Sequence, residues 1–229
     1  MQEDCRVWKP DYVWSATVKD ESGIMQPDRE AIEARLAEAR KRLERFPDGW
    51  LWLEQVGRCL RWLGDPEAEA HFRRAAANYP LREQDPGAHV QLGNLYRLAG
   101  DEDAAQHHFE KARTLYAERV DREDPYSLDV AHMIPASFLT GRDDEVVELI
   151  ALLRAIEPDQ DLVVYPIAKL AEARRIRDVD LAAEAVAEVA RMVRRSRSEV
   201  WNIGGVTLWD WYEIATGIWQ DIESETSER

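Results

Sequence analysis

An all-α array of antiparallel helix hairpins is the fold class this sequence predicts, and three observations predict it. Apolar residues recur with the helical period, turn residues punctuate them at short intervals, and one side-chain pattern returns down the chain. The expected architecture is a right-handed superhelical solenoid of such hairpins closed by a C-terminal capping helix.

The first element is read from residues 28–46, DREAIEARLAEARKRLERF, where Ile32, Leu36, Leu43 and Phe46 share a stripe and Glu38 stands four before Arg42. That is an amphipathic helix with paired charges on its outer faces. Pro27 and Asp28 supply the start, and Pro47-Asp48-Gly49 the stop, by removing a donor and then offering a permissive backbone.

From Trp50 onward, helix-sized apolar segments are separated at Gly64-Asp65-Pro66, Pro80, Asp85-Pro86-Gly87, Gly100-Asp101, Asp124-Pro125, Gly141-Arg142-Asp143 and Pro158-Asp159. No strand-like alternation of useful length interrupts them. Turns this short force neighbouring helices to run antiparallel.

The hairpins repeat. Gly93, Tyr96, Gly100, Ala105, Phe109 and Ala112 form one copy, in which small residues admit close helix approach and large ones fill the space between. The same offsets from Ile134 give Ser137, Gly141, Val146, Ile150 and Leu153, with Pro158 closing the copy. From Gly57 they give Leu60 and Gly64, after which Ala68, Phe72, Ala75 and Pro80 arrive one residue early, as a turn shortened by one residue would produce. A fourth copy runs through Leu170, Ala173, Arg177, Ala182, Val186 and Val189, with Arg177 in place of the turn glycine.

On these residues the chain resembles the tetratricopeptide repeat (TPR) family over roughly residues 50–195, most specifically at Leu92-Gly93-Asn94-Leu95-Tyr96 and Ala99-Gly100-Asp101. The third and fourth copies follow the family by spacing more than by residue. The resemblance implies a protein-binding solenoid whose first helices line a concave groove.

Residues 1–27 show no clear period and are expected to be an N-terminal extension to a repeat domain over 28–222. Within 206–222, VTLWDWYEIATGIWQDI, Leu208, Trp211, Ala215, Ile218 and Ile222 share a face, as a terminal cap requires. All nine Trp lie before residue 63 or after residue 200, where solenoid ends need covering. Residues 223–229, ESETSER, are expected to form a disordered acidic tail.

Composition excludes several function classes. Of 229 residues 45% are hydrophobic, enough for a continuous core, while the net charge of −15 opposes nucleic acid and anionic membrane as partners. No apolar run approaches the roughly 18–20 residues of a membrane span. Cys5 and Cys59 offer neither a disulfide framework nor zinc spacing, and the acidic N-terminus lacks a secretory pattern, so a reducing, cytoplasmic setting is expected.

Chemistry is not legible. Gly204-Gly205 lacks the further glycines and lysine of a phosphate loop and reads as a bend before the last helix. His71, His89, His107, His108 and His132 fall on separate helices apart from the adjacent 107–108 pair, whose side chains diverge, so no metal or cofactor is expected. Acids at Asp101-Glu102-Asp103 and Asp143-Asp144 stand beside turns, where they stabilise the following helix start. The chain is therefore expected to be no enzyme.

The informative constellation lies four positions on from Gly57, Gly93, Ile134 and Leu170, at Arg61, Arg97, Phe138 and Arg174. By the family resemblance this position faces the concave groove. Arg58 stands one turn before Arg61, and Asn94 before Arg97. With Trp62 they make an expected ligand groove of Arg58, Arg61, Trp62, Asn94, Arg97, Phe138 and Arg174, suited to an acidic or C-terminal peptide because guanidinium forks pair bidentately with carboxylates. Solvation of an exposed face, or pairing with neighbouring glutamates, is the competing account of these arginines. An inhibitor or immunity-type protein neutralising a basic partner is the alternative function, and a homodimer through the Trp-rich C-terminal helix is compatible with either.

Overall fold

In the computed structural model, residues 17–19, 25–120, 125–157, 164–195, 202–203 and 206–227 are described. The readings of Pro158-Asp159 and Gly204-Gly205, and most of the N-terminal extension, fall outside them. Ten helices follow one another among the described residues: α1 Arg29–Arg45, α2 Trp50–Trp62, α3 Glu67–Ala77, α4 Pro86–Leu98, α5 Glu102–Arg119, α6 Ser127–Leu139, α7 Asp143–Ile156, α8 Tyr165–Ile176, α9 Val179–Arg195 and α10 Leu208–Ser227. Consecutive helices pack on one another throughout, so the chain is an all-α helical-repeat solenoid of TPR-like hairpins.

The repeat signature has direct physical content. Gly57 of α2 abuts Phe72 of α3, where an added Cβ would stand 3.0 Å from the ring, and Gly93 of α4 abuts Phe109 of α5 at 2.7 Å by the same measure. The two pairs are equivalent although separated by different numbers of residues, and the missing residue lies between Gly64 and Ala68. Ala75 and Ala112 are wholly buried at matching places in the second helices.

The four hairpin turns share one closing bond. Asp65, Asp101, Arg142 and Asp178 donate their backbone N–H to the carbonyls of Leu60, Tyr96, Ser137 and Ala173, the six-to-one bond that satisfies the last carbonyls of a helix. The residue before each has positive φ: Gly64 at 73°, Gly100 at 70°, Gly141 at 73° and Arg177 at 57°. Arg177 thus takes the left-handed position that its three counterparts fill with glycine. Asp28, Asp85, Asp101 and Asp178 cap the starts of α1, α4, α5 and α9 with their carboxylates.

Two features depart from expectation. Short antiparallel pairs, β1 Thr17–Lys19 with β2 Met25–Pro27 and β3 Asn202–Ile203 with β4 Val206–Thr207, flank the array. Segments of two or three residues carry no readable alternation. Helix α10 also continues to Ser227, into the segment expected to be a disordered tail. Wholly buried Ile222 packs this last stretch against Ala173 and Ala182, and Ser224, Thr226 and Ser227 donate their hydroxyls to carbonyls three or four residues back.

The core is continuous. One apolar cluster joins α1 to α4, a second joins α4 to α10, and Trp62 and Tyr96 lie against both. Among the described residues no helix is long and apolar enough to cross a membrane.

Candidate interaction site

The first helices α2, α4 and α6 turn one face toward the start of α10, and six of the seven predicted groove residues meet that segment or its neighbours. The centre is Asp210, 2% exposed in the first turn of α10. Its Oδ1 accepts from Arg58 Nη1 at 2.6 Å. Its Oδ2 accepts from Asn94 Nδ2 at 2.9 Å and from the Thr207 hydroxyl at 2.8 Å. Arg97 lies 3.7 Å from the same carboxylate and donates twice to Asn94 Oδ1.

Thr207 and Asp210 form a reciprocal cap, because the Asp210 backbone N–H donates back to the Thr207 hydroxyl oxygen. The Thr207 hydroxyl thereby satisfies one of the helix's first donors and, by donating to Oδ2, fixes the carboxylate rotamer. Arg58 is completed by Glu54 of its own helix, whose Oε1 accepts from both Nε and Nη2. Two guanidiniums therefore face two carboxylates, and the buried charges balance.

That balance decides the protonation states. Burial opposes ionisation of Asp210, but Arg58, supported by Arg97 and Asn94, overcomes it and holds the carboxyl well below the ordinary range. Burial likewise works against the Arg58 guanidinium, and Asp210 and Glu54 more than offset it, raising its pKa. At Arg97 burial prevails and the pKa falls, with Asp210 and Glu213 opposing the drop.

Aromatic residues flank this centre. Trp209 meets Trp62 edge to face at 6.0 Å, and Trp211 meets Phe138 in the same manner at 5.6 Å. Trp211 is wholly buried, and Phe138 nearly so. At the solvent rim Arg61 pairs with Glu213 of α10 at 3.2 Å. Arg174 behaves differently. It forks onto Asp143 at the start of α7, donates to the Phe138 carbonyl and stacks over the Phe138 ring at 4.3 Å.

Six of the predicted residues are thus brought together, and Arg174 stands apart behind Phe138. The C-terminal helix, expected as a terminal cap, lies along α8 and α9 and also reaches α2 and α4 with its first turn. Asp210, Thr207, Trp209 and Glu213 were not singled out from sequence. Their signal was present in Trp209-Asp210-Trp211, since a carboxylate within an apolar segment requires a buried cation. Glu54, four before Arg58 in a nearly apolar helix start, was readable in the same way.

A second polar cluster joins α4 to α5. His89, 2% exposed, and His108 approach through their Nδ1 atoms at 3.0 Å, and Tyr96 stacks flat on His108. His89 Nε2 lies 3.2 Å from the Glu83 carbonyl, which can only accept, so His89 donates there and receives from His108. No group of three or more metal-binding side chains occurs among the described residues.

No family profile matches the chain, and no curated protein matches it. Among solved structures, MamA overlaps 88% of this chain and 94% of its own at 12% identity and a TM-score of 0.32. The nearly identical TPR-like repeats of a protein assigned as a kinesin light chain from Podosopora anserina overlap 88% of each chain at 17% identity and a TM-score of 0.34. These superpositions are loose, and the repeat character of the fold rests on the Gly57–Phe72 and Gly93–Phe109 packing and the four matching turns.

Proposed function

We propose that this chain is a non-catalytic protein-interaction module whose concave face binds a protein segment carrying a carboxylate between aromatic side chains. The observation that supports this reading is the convergence of Arg58, Asn94 and Arg97 on Asp210, with Trp62 and Phe138 to either side. The chain's own α10 supplies the resident carboxylate, and a partner segment takes its place by exchange. Titration of a peptide library against the full chain and an Asn94→Ala/Arg97→Ala variant tests this: ligands enriched on the first should lose affinity for the second. Unchanged binding sinks the groove assignment.

One observation favours a second reading. Arg58, Arg61, Arg97 and Arg174 are each paired with acids of this same chain, so the basic strip is neutralised from within and the net charge of −15 dominates the outward field. That field suits an inhibitor of a basic partner. Capture from native extract at low and high salt separates the readings, because a basic protein retained only at low salt supports the second. In a homodimer through α10, the half-buried Trp219 would be the tryptophan at the contact, since Trp209 and Trp211 are buried within the chain.

A further inference from the structure

We infer that the segment this face takes is the first turn of a helix, capped by a Thr-x-x-Asp box with an aromatic residue on each side of the aspartate, and not an extended peptide or a free C-terminal carboxylate. The inference rests on the proposed binding role and narrows its ligand to one class.

The geometry of the resident segment carries it. Asp210 reaches Asn94 of α4, Trp209 reaches Trp62 of α2 and Trp211 reaches Phe138 of α6. Three consecutive side chains therefore fan out to three different helices. Consecutive residues of an α-helix point about 100° apart, which produces this spread. In an extended strand the two aromatic residues would project to one side and the aspartate to the other, so rings and carboxylate could not meet the face together.

The cap adds a second requirement. Thr207 takes one of the three hydrogen bonds on the Asp210 carboxylate and aims Oδ1 at Arg58. A terminal carboxylate has no such orienting hydroxyl and no following residue to reach Phe138. With α10 in place Arg58 and Asn94 are 4% and 0% exposed, so a ligand that covers them as α10 does but lacks the aspartate leaves them unsatisfied.

The resident α10 competes with any such ligand, and weakening its cap should favour exchange. The test uses the full-length chain and its Thr207→Ala variant, each titrated by fluorescence anisotropy. The labelled probes are a peptide of residues 206–222, the same peptide with Asp210→Asn, and the same peptide with Glu213→Pro and Ala215→Pro, which cannot continue a helix. The unbroken peptide should bind the Thr207→Ala chain several-fold tighter than wild type, with at least a tenfold loss for the Asp210→Asn peptide and no binding of the proline peptide. A Thr207→Ser chain, which keeps the hydroxyl, should bind as wild type does. Equal binding of the proline peptide would overturn the helix requirement and leave the groove reading standing. Absence of binding by every probe to a folded Thr207→Ala chain would overturn both.

Discussion

Arg58 and Asp210 stand 152 positions apart in sequence and meet at 2.6 Å in the interior. Repeat arrays ordinarily contact only their neighbours, which makes their stability a sum of local terms. Here a charged pair ties the second helix to the last, across the whole array.

That tie predicts how the chain unfolds. Probes on α2 and on α8 should lose structure at one denaturant concentration in the wild type, because the Arg58–Asp210 contact couples them. In Asp210→Asn the transitions should separate, and stability should fall by about 3–5 kcal/mol, the usual cost of leaving a buried charge unpaired. Separate transitions in the wild type would show that the ends are independent.

The repeat packing predicts opposite signs for one kind of substitution. Gly→Ala in a helix interior ordinarily gains about 0.5–1 kcal/mol. At Gly217 nothing stands within 4 Å of an added Cβ, so the gain should appear in full. At Gly93 the Cβ would lie 2.7 Å from the Phe109 ring and 3.2 Å from the Ala105 carbonyl oxygen, and overpacking of about 1–3 kcal/mol should exceed the gain. Chemical denaturation of the two variants checks both signs.

The turn at Arg177 predicts a stabilising change. A left-handed residue other than glycine costs roughly 1–2 kcal/mol, and the Arg177–Glu225 pair that would be lost is exposed and contributes little. Arg177→Gly should therefore raise stability by about 0.5–1 kcal/mol in a thermal or urea melt, after the added freedom of the unfolded chain is counted.

The histidine pair predicts an acid-sensitive window. Burial, with His89 and His107 adding to it and Glu83 opposing, pushes His108 down to about 4 from its ordinary value of 6.5. A histidine with a lowered folded pKa stabilises the fold fully above its unfolded pKa, and that contribution drains away as pH falls from near 6.5 toward 4. Asp210, held well below the carboxylate range, keeps its contribution throughout this window. His71 and His132, also lowered by burial, contribute a slope of the same sign, so stability measured across the window should decline in the wild type and decline less steeply in His108→Gln; identical slopes would remove His108 as a cause.

Much of this was legible in the sequence, for a physical reason. Hairpin turns and the Gly–Phe contacts are local, so their spacing encodes them, and the rank of arginines on successive first helices follows from the repeat itself. What lay against those arginines was legible only in part. Trp209-Asp210-Trp211 signals that a buried cation is needed, but nothing nearby says that it is Arg58, 152 positions away. His89 and His108 escaped for the same reason, since separate helices bring them together. Arg174 was placed with the others by rank, yet Asp143 beside its own hairpin claims it first.

The central claim is that the inner face of the first helices recognises the Asp210 carboxylate. A double-mutant cycle with Arg58→Met, Asp210→Asn and the combined variant, each followed by chemical denaturation, tests it most directly. A coupling of at least about 2 kcal/mol is expected for a buried, hydrogen-bonded charge pair. Additive effects, with coupling near zero, would contradict it.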